Sequence, residues 1–319
     1  MPHSAGLIGA GSEVLGFDTE MSSDHDWGPR LKLFLDEDNF AENAKSIETL
    51  LKSNLPHQFR HYPVHWTIDG PSGNTCVELL TIRSFFLDYL GFDIRDDIKP
   101  GDWLTFPEQK LRTVIGGAIY RDDLGLQASR ERFQYYPHDV WLYLLAAQWQ
   151  RLGQEEHLMG RAGMVGDEIG SALLAARLVR DVMRLCFLME KQYAPYAKWF
   201  GTAFAQLPNV EALKPLLQRV LVAPTWIERQ EFLAPAYEII ATKHNALQIT
   251  ETLDPKVSYF HERPFLVIGG GRFVNAIREK ISDPVVKRIA DRKLIGSVDQ
   301  FSDSTDLLKK ARSLRSLYE

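Results

Sequence analysis

The chain reads as an α+β protein: a small mixed sheet with helices over about residues 1–130, then a mainly helical domain over residues 131–319. Ahead of residue 130, short alternating runs are broken by turns and by one clear helix; after Pro137, long stretches repeat apolar residues at helical spacing. Near the start, the short run over residues 5–8 leads directly into the small-residue turn Gly9-Ala10-Gly11-Ser12.

Residues 30–35, Arg-Leu-Lys-Leu-Phe-Leu, alternate as a strand does, and residues 43–55 place Ile47, Leu50 and Leu51 on one helical stripe that Pro56 ends. Residues 63–68 and 75–82 are extended candidates, and residues 84–90 a short helix or turn stopped by Gly91. Within 102–118, Pro107 suits the first turn of a helix, where its missing amide costs nothing. The turn-rich stretch 116–125 is expected to bridge the two regions, with Asp122 and Asp123 as turn or cap residues. Long helices are expected over 139–157, 166–193 and 226–244, and shorter ones over 210–222 and 272–280. Gly269-Gly270-Gly271 reads as a turn, and there is no internal repeat or low-complexity segment.

The composition, 45% apolar and 25% charged over 319 residues, is that of a soluble globular protein. A net charge of -5 argues against a broad nucleic-acid surface, because phosphate backbones are held mainly by Lys and Arg. Cys76 and Cys186 stand far apart without metal-site spacing, which fits a reducing cytoplasm and not structural zinc. The start lacks the basic and long apolar parts of a secretion signal, and no apolar run is long enough for a membrane span. The expected location is cytoplasmic, with no membrane partner.

Residues 9–26 carry the chemistry. Gly11 and Ser12 form a turn where backbone and hydroxyl can approach a phosphate. Asp24 and Asp26, two residues apart on one extended strand, would point the same way and offer hard oxygens to Mg²⁺. His25 between them faces the other side and reads as structural. A third carboxylate is expected from Glu78, which interrupts an otherwise apolar strand; Asp69, before Gly-Pro, is its rival. Arg30 belongs either on a triphosphate or in a surface salt bridge, and Arg83 is a weaker phosphate candidate. No P-loop motif and no clean dinucleotide fingerprint is present.

Gly11-Ser12 followed by Asp24-His25-Asp26 resembles the signature of the DNA polymerase beta-like nucleotidyltransferase superfamily. The strings Gly-Ser-Glu-Val-Leu-Gly-Phe-Asp-Thr, Ser-Asp-His-Asp-Trp-Gly-Pro-Arg and Gly-Ser-Val-Asp-Gln-Phe-Ser-Asp-Ser resemble the DUF4037 family. So do Asp102-Trp103-Leu104, Tyr196-Ala197-Lys198-Trp199 and His261-Glu262-Arg263-Pro264-Phe265. The resemblance implies a nucleotidyltransferase-type sheet in which the Gly-Ser turn contacts triphosphate and spaced acids hold divalent metal. It also implies a helix-bearing segment ahead of the first strand, whereas this chain reaches Gly11 almost at once; either the start is truncated or this member dispenses with that support.

The expected activity is transfer of a nucleoside monophosphate from a nucleoside triphosphate, ATP first, to a hydroxyl of a small or medium polar acceptor. Asp24, Asp26 and Glu78 would hold Mg²⁺, while Gly11, Ser12 and Arg30 would hold the phosphates. The alternatives are a nucleotide-binding regulatory protein without turnover and an enzyme that modifies nucleic-acid ends.

In the helical region, Glu155 and Glu156 read as a solvated face, with acceptor activation the sharper alternative. Arg177, Arg180, Asp181 and Arg184 read equally as a cleft lining or an ion-pair network on one helix. Tyr193, Tyr196, Lys198 and Trp199 read as packing anchors or a stacking surface, and His244-Asn245 as a helix cap. Asp299, Asp303 and Asp306, spaced by four and three residues, would share a helical face in a capping or surface role.

Overall fold

The computed structural model describes residues 1–24, 28–64, 75–309 and Tyr318, without the side chains of Ser23, Asp24 and Lys309. The chain divides into two compact units, the first chiefly Met1–Lys99 with Phe106–Gln134, the second chiefly Pro100–Thr105 with Tyr135–Leu308.

Unit 1 begins with β1 (Ser4–Leu7), the glycine turn, α1 (Ser12–Leu15) and a 3-10 turn over Glu20–Asp24. It continues through β2 (Leu31–Leu35), α2 (Glu37–Asn54), the short pair β3 (Gln58–Phe59) and β4 (Tyr62–Pro63), and β5 (Val77–Thr81). Next comes α3 (Ile82–Leu90), and then α4 (Pro100–Thr105), which belongs with the second unit. The first unit closes with α5 (Glu108–Ile115), β6 (Ala118–Asp122) and α6 (Leu126–Glu131).

Four of these strands form one mixed sheet in the order β5-β2-β1-β6, in which β2 and β5 run parallel and β1 is antiparallel to both its neighbours. The stretch 116–125 is therefore not a bridge between regions. After the turn at Gly116-Gly117 it supplies edge strand β6, pairing Leu7 with Ala118 and Ser4 with Asp122. The turn residues mark the two ends of this strand, and its pairing with β1 decides its state against its own composition. Asp122 does serve as a cap: its carboxylate accepts from the backbone amides of Leu126 and Gln127 at 2.8 and 2.9 Å.

Local signals place the ends of the helices. Asp36 caps α2 by accepting from the Asn39 amide at 2.8 Å, and Thr81 and Ser84 form a capping box at α3, which Gly91 ends. Arg130 is buried and donates to the carbonyls of Val114, Ile115 and Gly116, closing the C-terminus of α5. Beneath the sheet lies an aromatic core: Phe34 meets Phe85 edge-on at 5.8 Å, and Phe86 stacks on Phe133 at 5.2 Å.

Unit 2 is helical: α7 (His138–Glu155), α8 (Leu158–Met164), α9 (Glu168–Met189), α10 (Ala197–Phe204), α11 (Leu213–Val222) and α12 (Trp226–Ala246). A two-residue pair, β7 (Ser258–Tyr259) and β8 (Leu266–Val267), precedes α13 (Gly270–Arg278) and α14 (Pro284–Arg292). Two short helices follow, α15 (Val298–Phe301) and α16 (Thr305–Lys309). Helix α7 is the centre of this unit, buried almost all round from Val140 to Trp149, as an axial helix of a bundle must be. Trp149 stacks on Phe273 of α13 at 4.0 Å, and Trp141 donates its indole N–H to the Leu188 carbonyl of α9 at 2.8 Å. Among the described residues, no helix is long and apolar enough to cross a membrane.

Candidate functional site

The register of the sheet fixes what meets at its end. Gly6 pairs with Lys32 across antiparallel strands, so the exit of β1 lies beside the entry of β2. Leu31 pairs with Val77 and Lys32 with Glu78 across parallel strands, so the entry of β5 lies there too. The glycine turn, Arg30 and Glu78 thus share one sheet end, where Arg30 and Glu78, with Leu7 and Ile8 ahead of the turn, line a cavity of about 360 Å³. Arg30, Lys32 and Lys52 line it as cations, Glu48 and Glu78 as carboxylates.

At the turn, Gly11 has φ 134, a conformation L side chains avoid, and a Cβ there would collide with the Arg30 guanidinium and the Glu13 carboxylate. The missing side chain lets Arg30 fold onto the turn, where it donates to the Ala10 carbonyl and ion-pairs with Glu13. Of the two expectations for Arg30, the salt bridge is the state seen, and it sits on the glycine turn itself. The Ser12 hydroxyl donates to Asp18 at 2.6 Å. Glu78 lies on β5, with a side chain 57% exposed, and ion-pairs with its register partner Lys32. The ammonium of Lys32 also lies 5.8 Å from the centre of the Phe85 ring.

Asp24 does not start a strand. It closes the 3-10 turn Glu20–Asp24, and β2 begins only at Leu31, so the strand alternation expected from Asp24 onward does not apply to it. Locally, the Ser22 hydroxyl accepts from the Thr19 amide at 3.1 Å, the side-chain-to-backbone bond that favours turns over strands. Asp26, His25 and the rival Asp69 lie outside the described residues. Among the described residues no three His, Cys, Asp or Glu side chains gather as a metal site, and that set excludes the Asp24 and Asp26 side chains.

Arg83 ion-pairs with Asp93 at 2.8 Å. The residues missed at the sequence level are Glu13, Glu48 and Lys52. Glu13 follows Ser12 directly, and Glu48 and Lys52 stand four apart on α2, a spacing that signals a shared helix face.

In unit 2, Glu155 and Glu156 are not a solvated face. Both Glu156 oxygens accept backbone amides, from Ile268 at 2.7 Å and from Gly269 and Gly270 at 3.1 Å each, so the carboxylate caps the start of α13; of the three glycines expected as a turn, Gly269 caps the helix and Gly270 and Gly271 begin it. Burial raises its carboxyl above the ordinary range, against the pull of those three amides. Glu155 pairs with Arg177, and burial raises its carboxyl also.

Along α9, Arg177 and Asp181 reach α7 instead of each other: Asp181 is 1% exposed and accepts from Gln148 at 2.8 Å and from Arg151 at 3.2 Å. Arg180 ion-pairs with Asp303. Asp299, Asp303 and Asp306 share no helical face, because α15 ends at Phe301 and α16 begins at Thr305, leaving Asp303 between them. Tyr193 is buried against Tyr135 and Tyr136 as a packing anchor. His244 is no cap either; it is buried inside α12, its Nε2 3.2 Å from the Thr250 hydroxyl, while Asn245 ties down the backbone of Leu253 in both directions.

No curated protein and no solved structure matches the chain. A family model does match, that of DUF4037, a domain of unknown function, over residues 103–200. The match runs from within α4 to within α10, and that segment is similar to DUF4037.

Proposed function

We propose that unit 1 is a Mg²⁺-dependent nucleotidyltransferase domain that moves a nucleoside monophosphate from a nucleoside triphosphate, ATP first, to a hydroxyl of a small or medium polar acceptor. The observation that supports this reading is the convergence of the Gly11-Ser12 turn, Arg30 and Glu78 at one sheet end, beside a polar cavity. Residues on a turn and two separate strands come together there through backbone register alone.

The donors suit a triphosphate. Arg30 presents a forked guanidinium, already resting on the carboxylate of Glu13, and Ser12 a hydroxyl already donating to Asp18. A polyphosphate would take over both donors by exchange. Glu78 supplies a hard oxygen ligand, half exposed and held by one lysine, which fits Mg²⁺ in its donor chemistry. Asp24 and Asp26 are the proposed companions of Glu78 as ligands. The ion supplies charge stabilisation when bound. Lys32, beside Glu78, adds fixed positive charge on the same face. The acceptor oxygen forms its bond to the α-phosphorus as the bond to the bridging oxygen breaks, releasing pyrophosphate and the hydroxyl proton.

The test is Mg²⁺-dependent pyrophosphate release from ATP, GTP, CTP or UTP in the presence of a metabolite pool. Asp26→Asn is expected to abolish release without unfolding the protein; unchanged turnover removes Asp26 from the mechanism. Nucleotide binding with no release across the acceptors supports the regulatory alternative instead, and product on oligonucleotides supports end modification.

A further inference from the structure

The segment Gly296-Ser-Val-Asp-Gln-Phe-Ser-Asp-Ser belongs to unit 2 and is held there by a network of buried hydrogen bonds. Gly296 has φ 83, and a Cβ there would collide with Gln300 Oε1, so the glycine lets Gln300 fold back over the turn. Gln300 accepts from the Ser297 amide at 2.9 Å and donates to the Leu144 carbonyl and to Gln148 Oε1, both at 3.0 Å. This pins α15 to α7 through buried hydrogen bonds and delivers Asp303 to the mouth of a second cavity, of about 300 Å³.

Three guanidinium groups line that cavity, Arg151 from α7 and Arg177 and Arg180 from α9. Two of their carboxylate partners are fixtures of the helix interface: Asp181 is tied to Gln148 and Arg151, and Glu155 is largely buried against Arg177. Arg151 spends only its Nε on Asp181, and its Nη atoms have no hydrogen bond among the described residues. The third partner differs. Asp303 is 73% exposed, sits outside both short helices, and is held by its ion pair with Arg180. Exposed pairs of this kind are worth at most about 1 kcal/mol, so a stronger anion displaces them readily.

We propose that this cavity is a binding site for the phosphate group of a small phosphorylated molecule, in which the Asp303 carboxylate occupies the anion position until ligand replaces it. The position favours negative charge: Arg180 holds the Asp303 carboxyl below the ordinary range, and Arg184 and Arg151 act on it in the same direction. A phosphate dianion carries more charge than a carboxylate and matches the guanidinium fork with two oxygens at once. The volume leaves room for a small polar body behind the phosphate, and the exposed ring of Phe301 forms part of its wall. The assignment is independent of the nucleotide reading of unit 1.

Calorimetric titration of the full chain with inorganic phosphate, and separately with glycerol 3-phosphate, tests it. Binding is expected in both, tighter for the ester. Arg180→Gln should weaken it at least about 10-fold and Asp303→Asn should tighten it several-fold, since the second variant removes the competing anion and leaves the arginines in place. Arg278→Gln, whose partner is Asp291 and which lines neither cavity, should leave it unchanged. Phosphate binding lost in Arg30→Gln but retained in Arg180→Gln overturns the proposal in favour of the glycine turn of unit 1. No binding to the full chain, or an Asp303→Asn affinity equal to or weaker than that of the parent, overturns it as well.

Discussion

The two polar cavities differ in how their charges are gathered. At the sheet end of unit 1, Arg30, Lys32 and Glu78 project from strand entries set beside one another by backbone pairing. In unit 2 the arginines stand on two packed helices, and their companion Asp303 arrives from a segment well over a hundred residues after Arg151. The first arrangement rests on strand register, and its ion pairs are partly exposed. The second rests on a buried wall formed by Gln148, Asp181 and Gln300, with the Arg177 side chain and the Arg180–Asp303 pair open to water. Exchangeable pairs suit ligand binding; buried, multiply bonded ones hold helices in place.

The largest effect that would test this contrast belongs to Asp181. Asp181→Ala leaves Gln148 and Arg151 without their shared acceptor and is expected to cost about 4 kcal/mol in denaturant unfolding; a loss under about 1 kcal/mol would make the wall as dispensable as the surface pairs.

The next concerns charge in the unit 2 interior. Burial pushes His244 down to about 4 from 6.5, and among the described residues its Nδ1 has no hydrogen-bond partner, so the folded chain keeps the ring neutral. Between these values the unfolded chain holds a proton that the folded chain does not, so stability is fully present above 6.5 and falls as the pH drops toward 4. The expected loss is about 3 kcal/mol over that window. Urea midpoints measured from pH 7 to pH 4 should fall more steeply for the parent than for His244→Gln, and parallel curves would contradict the assignment.

In unit 1 the emphasis moves from stability to turnover. Glu78→Gln should reduce pyrophosphate release about 100-fold or more, because a neutral amide is a far poorer metal ligand, while thermal unfolding stays nearly unchanged. Loss of stability without loss of rate would turn Glu78 into a scaffold residue. Smallest of all is Lys32→Met: its ion pair is partly exposed, so unfolding should shift by less than about 1 kcal/mol. A shift of several kcal/mol would erase the distinction between the two cavities.

Much of the sheet end was readable from local pattern. A run of small residues after a short strand signalled the Gly11-Ser12 turn, alternation over 30–35 signalled β2, and a glutamate inside an apolar run singled out Glu78. Helices α7, α9 and α12 were equally plain, because an amphipathic or buried stripe repeats over several turns. Short elements were not. β6 was hidden because its ends carry turn residues and its pairing partner lies more than a hundred residues earlier. The 3-10 turn ending at Asp24 was hidden because two aspartates one residue apart look the same in a turn as in a strand.

Glu156 shows the same division. Its type and its place after a helix suggested a surface group, and nothing nearby announced that three amides more than a hundred residues later would close around it. Residue type and spacing suffice for contacts within a few residues, since helix and strand periods and capping act over that range. The partners of Arg30, Asp181, Glu156 and Arg180 are set by which strands pair and which helices pack. Those choices maximise apolar burial and backbone pairing over the whole unit, and the charged side chains settle into the positions that remain.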